Sequence, residues 1–109
     1  MIAIALAMAF QLGDLADFPD RAKYASLPRE VRVLMDRRQA CLYWGGEFSG
    51  DYSDPETGAA TRIRDRQIIS TQRKLRCGIV EGEEARLRRR YATAPAILKA
   101  LDETRDWLP

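Results

Sequence analysis

Residues 26–46 read SLPREVRVLMDRRQACLYWGG, and this stretch decides the fold class. Ser26 is a residue type that caps helices, Pro28 is tolerated in a first turn, and Glu30 suits the positive end of a helix dipole. Val31, Leu34, Cys41 and Leu42 recur at steps of three, four and seven, which marks one apolar helix face. Arg29, Arg32, Asp36 and Arg37 fall mostly on the other side. Gly45-Gly46 is a stop signal, because glycine accepts the left-handed backbone that ends many helices.

Downstream, residues 47–59 are polar and contain Gly50, Asp54-Pro55 and Gly58, the composition of a loop. A second helix is predicted over 60–75, with Ile63, Ile68, Ile69 and Leu75 as its apolar side. Arg62, Asp65 and Arg66 are expected to pair along its outside. Cys77-Gly78 ends it. A third helix, over 81–92, opens on Glu81, Glu83 and Glu84 and closes on Arg88, Arg89 and Arg90, a polarity that suits the dipole at both ends. Leu87 and Tyr91 mark its inner face. A fourth is predicted from Thr93 as cap, through Pro95, to about Trp107, with Ile97, Leu98, Leu101 and Leu108 apolar. No segment alternates with a period of two, so strands are not supported.

Upstream, residues 11–25 (QLGDLADFPDRAKYA) mix Gly, Pro and acids with a few aromatics and read as a linker or loose arm. Residues 1–10, MIAIALAMAF, form an uncharged apolar run with small-x-small sequences at Ala5-Leu6-Ala7 and Ala7-Met8-Ala9. They look like the apolar region and cleavage site of a secretory signal, although the usual basic start is missing. The competing reading is a buried first helix of a cytoplasmic protein. The run is about half the length a membrane span needs.

The chain has 109 residues, 46% hydrophobic and 31% charged, which is the composition of one folded domain and not of a disordered one. A net charge of +2 hides an uneven layout. Residues 1–58 carry six basic and nine acidic groups, whereas residues 59–91 carry ten basic and four acidic. Fifteen of the eighteen basic residues are arginines, which suit forked pairing with carboxylates or phosphates. There are two cysteines and no histidine, a poor set for zinc. Cys41 and Cys77 lack C-x-x-C spacing and can form one disulfide if the compartment oxidises. In a simple antiparallel hairpin those two helix ends lie at opposite poles. A bond therefore needs an oblique crossing, or a loop long enough to carry the chain back.

Two stretches invite a chemical reading. In CLYWGGEFSGD, residues 41–51, Trp44 beside Glu47, with Asp51 or Asp54 opposite, fits the two carboxylates of glycoside cleavage. The plainer reading makes the aromatics core caps and the acids solvated or paired with arginines. Around LRRRYA, residues 87–92, Arg86, Arg88, Arg89 and Arg90 with Tyr91 resemble an anion or nucleic-acid patch, against a salt-bridged solvent face as the plain alternative. No histidine is present to activate a serine, and no phosphate-binding glycine motif occurs.

Leu27-Pro28 and Val31, Asp36-Arg37-Arg38, Cys41, Gly46-Glu47, Arg64-x-Arg66-x-Ile68, Leu75-Arg76-Cys77, Leu87-Arg88-Arg89-x-Tyr91 and Ala100-Leu101 follow a recognisable order. Over about residues 27–101 this pattern resembles a group of small secreted or periplasmic helical proteins of proteobacteria. Tyr43 departs from that group, which often has histidine there, so no metal or acid–base role carries over. The resemblance implies an envelope location and a Cys41–Cys77 disulfide, and it implies no activity.

The expectation is an all-α bundle of three to four helices over 26–109 with one disulfide. Its expected role is non-enzymatic, binding another envelope protein or polymer without cofactor or metal. The expected contact surface combines Trp44, Glu47, Asp51 and the 47–59 loop with Arg62, Arg64 and Arg66, and a buried Glu47–Arg pair is expected to lock the loop. Two alternatives use different chemistry. One is a cytoplasmic nucleic-acid or protein adaptor using Arg62–Arg76 and Arg86–Arg90. The other is glycan-directed, either a small glycosidase or a lysozyme inhibitor presenting the 47–59 loop.

Overall fold

Five helices and no strand make up residues 12–108, the part of the chain that the computed structural model describes. The signal-like segment 1–10 lies outside the described residues. Helix α1 is the short Arg21–Tyr24, α2 is Arg29–Glu47, α3 is Gly58–Lys74, α4 is Val80–Arg90 and α5 is Pro95–Glu103. A 3-10 turn, Cys77–Ile79, links α3 to α4. The all-α bundle expected from periodicity is therefore present, with four long helices and one short one.

The central helix is α2. Its amino-terminal half buries Val31, Leu34 and Met35 against Val80 and Leu87 of α4, Ala100 and Leu101 of α5, and residues before α2. Each such fully buried aliphatic side chain is worth about 2 kcal/mol of transfer free energy. Its carboxy-terminal half packs against α3, which returns antiparallel to it and buries Ile68.

Residues 12–25 are not a loose arm. Leu15, Phe18 and Tyr24 are core residues, and Trp107 stacks on Phe18 with ring centroids 5.1 Å apart. The Asp36 carboxylate holds this segment, accepting the backbone N–H of Gly13 and, at 3.2 Å, that of Leu15. A chain rich in Gly, Pro and Asp gives no helical period, so its core residues carry no pattern to read.

Other expectations shift with the packing. The α3 face is not the one expected: Ile63 and Ile69 are exposed, and Asp65 is buried beside Ile68. At 100° per residue, positions 63, 68, 69 and 75 cannot share one face, whereas 61, 65, 68, 72 and 75 can. Leu42 is 41% exposed, although its position on α2 follows the apolar stripe. Helix α2 runs through Gly45 and Gly46 and ends at the extended Phe48. Helix α5 stops at Glu103, short of Trp107, and Leu108 is exposed. Ser26 and Thr93 do not cap: the residues before α2 and α5 are Pro28 and Ala94, and neither position has a side-chain cap bond.

Candidate functional site

Three consecutive residues of α2 organise the molecule. Asp36 anchors the segment before α1, as described above. Arg37, next to it, is buried and reaches the end of α3. Its guanidinium donates to the carbonyl oxygens of Leu75 at 2.8 Å and Arg76 at 3.2 Å, and it pairs with Glu83 of α4. The Leu75 carbonyl is one of the orphan acceptors that a helix leaves at its carboxy terminus, and the Arg76 carbonyl also accepts the Ile79 N–H of the 3-10 turn. Arg76 has φ of +57°, so the chain turns through a left-handed residue there and delivers Cys77 to α2. Arg38 is also buried. It pairs with Glu84 at 2.5 Å and donates to the Leu101 carbonyl and the Thr104 hydroxyl, both at 2.9 Å.

The expectation that Arg37 faces solvent is thus overturned. Glu83 and Glu84 also do more than complement a dipole. Burial opposes the charge on Glu84, but the Arg38 and Arg88 guanidiniums outweigh it and hold the carboxyl below its ordinary range.

One helical turn beyond Arg37, Cys41 is bonded to Cys77, with Cα atoms 5.7 Å apart. The pairing implied by the resemblance is therefore present, and the hairpin problem is solved by stagger. Cys41 is six residues short of the end of α2, and Asp65, well inside α3, is level with Ser49 and Gly50. From that level the chain needs eight residues back to Cys41 and ten on to Leu75, which are similar helical lengths. The early turns of α3 consequently project past α2.

Asp65, not Glu47, locks the 48–57 loop. It is 1% exposed beneath that loop. Its two oxygens accept the backbone N–H of Ser49 at 3.0 Å and of Gly50 at 2.9 Å, and the Tyr52 hydroxyl adds a third interaction. The Ser49 N–H above all holds this carboxyl below its ordinary range. The loop closes on Gly58, where a Cβ would stand 2.4 Å from the Tyr52 carbonyl oxygen. Asp65 shares a helical stripe with Thr61, Ile68, Gln72 and Leu75, and that register is the signal that could have revealed it.

The expected site residues are only partly brought together. Glu47 pairs with Arg64 at 2.9 Å, but on the surface and not buried. Arg62 stacks over the Tyr52 ring at 4.3 Å. Asp51 serves its own turn, accepting the Ser53 hydroxyl at 2.7 Å and N–H at 3.0 Å. That hydroxyl lowers its pKa, the opposite of what a general acid requires. Asp54 likewise accepts the N–H groups of Glu56 and Thr57 as α3 begins. Trp44 packs edge-on against Tyr43, and the depression beside them is lined by Asp17, Gln39 and Ala40. Its carboxylate is Asp17, not Glu47 or Asp51.

The LRRRYA cluster divides. Arg88 pairs with Glu84 and Asp102, and Arg90 with Glu30, while Arg86 and Arg89 remain exposed. No protein-family model, no curated protein and no solved structure matches the chain.

Proposed function

We propose that this protein is a non-enzymatic, exported helical domain that binds another component of the cell envelope. The observation that carries this reading is the Cys41–Cys77 bond at the corner where Arg37 already caps α3. Structural disulfides persist in oxidising compartments such as the periplasm and are rare in the cytosol. Closing a loop of this length stabilises a fold by about 3–4 kcal/mol in the chain-entropy treatment. Four acids around the 48–57 loop support a binding role: Glu47, Asp51, Asp54 and Asp65 serve a surface ion pair, a turn, a helix start and the loop anchor, so the loop is a rigid display.

The test is the intact mass of the protein expressed from its native gene with the full upstream region, alkylated before and after reduction. The expected result is a chain shortened at its apolar start whose two thiols react only after reduction. A full-length chain with two free thiols overturns the reading and favours a cytoplasmic adaptor.

A further inference from the structure

Helix α3 carries five of the eighteen basic side chains and one of the sixteen acidic ones. The remainder of the chain is therefore net negative, with thirteen basic against fifteen acidic groups. The one acid of α3, Asp65, is turned under the loop and is satisfied there. Arg62, Arg66, Ile69 and Arg73 follow one another at steps of four, three and four, so they fall on one narrow strip of the helix. All four are exposed.

Among the described residues, no carboxylate lies within ion-pair distance of Arg62, Arg66 or Arg73. Arg62 stacks on Tyr52, an arrangement that leaves guanidinium N–H groups at the ring edge available to an anion. At the foot of the strip, Arg73 and Arg76 flank an open depression over Ile69, Gln72 and Cys77.

We propose that this strip docks the protein peripherally on an anionic phospholipid surface, its arginines on headgroup phosphates and Ile69 within the headgroup layer. Arginine forks match phosphate oxygens. From Arg62 to Arg73 the strip runs about 16 Å along a straight helix, a line that a flat surface can meet along its whole length. Ile69, 37% exposed within the strip, gains nothing from the backbone of a soluble polyanion. It does gain from burial at the boundary between headgroups and acyl chains. The net-negative remainder is repelled by the same surface, which orients α3 towards it. No described helix is long and apolar enough to cross a membrane, so the contact is peripheral.

The proposal rests on the exported-binding-protein reading. That reading is decided by intact mass and this proposal by vesicles, so either can fail alone. The purified oxidised protein is sedimented with phosphatidylcholine vesicles, with and without about a third phosphatidylglycerol. Binding is expected only to the anionic vesicles, weakening as salt rises. Arg66→Gln with Arg73→Gln should lower it roughly tenfold or more, with the disulfide and melting temperature unchanged. Ile69→Ser, which leaves the charge alone, should lower it by about threefold. No sedimentation with anionic vesicles at low salt overturns the proposal. So does equal binding to inorganic polyphosphate that Ile69→Ser leaves untouched, which would assign the strip to a soluble polyanion.

Discussion

Arginine plays opposite parts in the middle of α2 and on the outer side of α3. Where α2 meets α4 and α5, Arg37 and Arg38 are buried and engaged by carboxylates and main-chain carbonyls. On the outer side of α3, Arg66 and Arg73 are exposed and lie out of ion-pair reach of the described acids. The same side chain is a structural member in one region and a free cation in the other. Composition cannot distinguish the two roles, because what separates them is whether an acid from another helix arrives at the same place.

The comparison breaks most clearly at Arg38. Arg38→Ala leaves the Leu101 carbonyl without its donor and Glu84 half paired in a closed site. It should cost ~3–5 kcal/mol, read by urea denaturation. Replacing both partners, as Arg38→Met with Glu84→Leu, should recover only part of that loss, because the Leu101 carbonyl still lacks its donor and Arg88 keeps Asp102 alone. If the double variant is no better than the single one, the pair adds more than its own desolvation cost removes.

Next in size is the disulfide. Cys41→Ser with Cys77→Ser should cost ~3–4 kcal/mol and should act chiefly through the unfolded chain. Arg37 still caps α3 in that variant, so the fold should survive with its helical circular-dichroism spectrum intact. Loss of the α-helical signal would mean that the Arg37 cap cannot hold the corner alone.

Two aspartates that hold main-chain N–H groups, Asp65 buried and Asp36 half-buried, sharpen the contrast between the regions further. The oxygens of Asp65 each accept a different N–H, so asparagine can keep only one of the two bonds. Both N–H groups at Asp36 meet the same oxygen, which an asparagine carbonyl can replace. Asp65→Asn should therefore lower the melting temperature by about 5 °C or more, and Asp36→Asn should leave it near the wild-type value.

Their pH dependences should also run in opposite directions. Asp65 is held below its unfolded pKa by the Ser49 N–H, so its contribution is present above that value and is lost as pH falls through the folded one. Asp36 is raised by burial, against the N–H bonds from Gly13 and Leu15. Its contribution is present below the unfolded pKa and is lost as pH rises through the folded one. Urea midpoints across acid pH for the two variants check both signs, and parallel curves would refute the assignment.

The smallest effect belongs to the free cations. Arg66→Gln with Arg73→Gln should change stability by no more than about 0.5 kcal/mol, since neither side chain has an ion-pair partner among the described residues. A larger loss would move α3 into the same class as the α2 arginines.

The type and approximate bounds of the four long helices were legible because apolar spacing and Gly/Pro punctuation are local properties, whereas the short α1 was not read. The α2 stripe of Val31, Leu34 and Cys41, the polar loop before α3 and the end of α3 ahead of Cys77-Gly78 were of this kind, and the disulfide pairing followed the resemblance. The candidate site was less legible. Glu47 and an arginine were expected as the lock of the loop, but Asp65 has that role because helical register, not residue type, turns it inward.

By itself, the sequence determined that the chain is all-helical, that its two cysteines suit a disulfide and not zinc, and that its basic charge is concentrated after residue 58. Only the tertiary structure decided which charges are buried. Arg37, Arg38 and Asp65 are placed by helices distant in sequence, and desolvating a charge is tolerated only where that packing supplies its partner. It also decided that Leu15, Phe18 and Trp107 close one core, because a contact spanning some ninety residues leaves no periodic trace in the segments that make it.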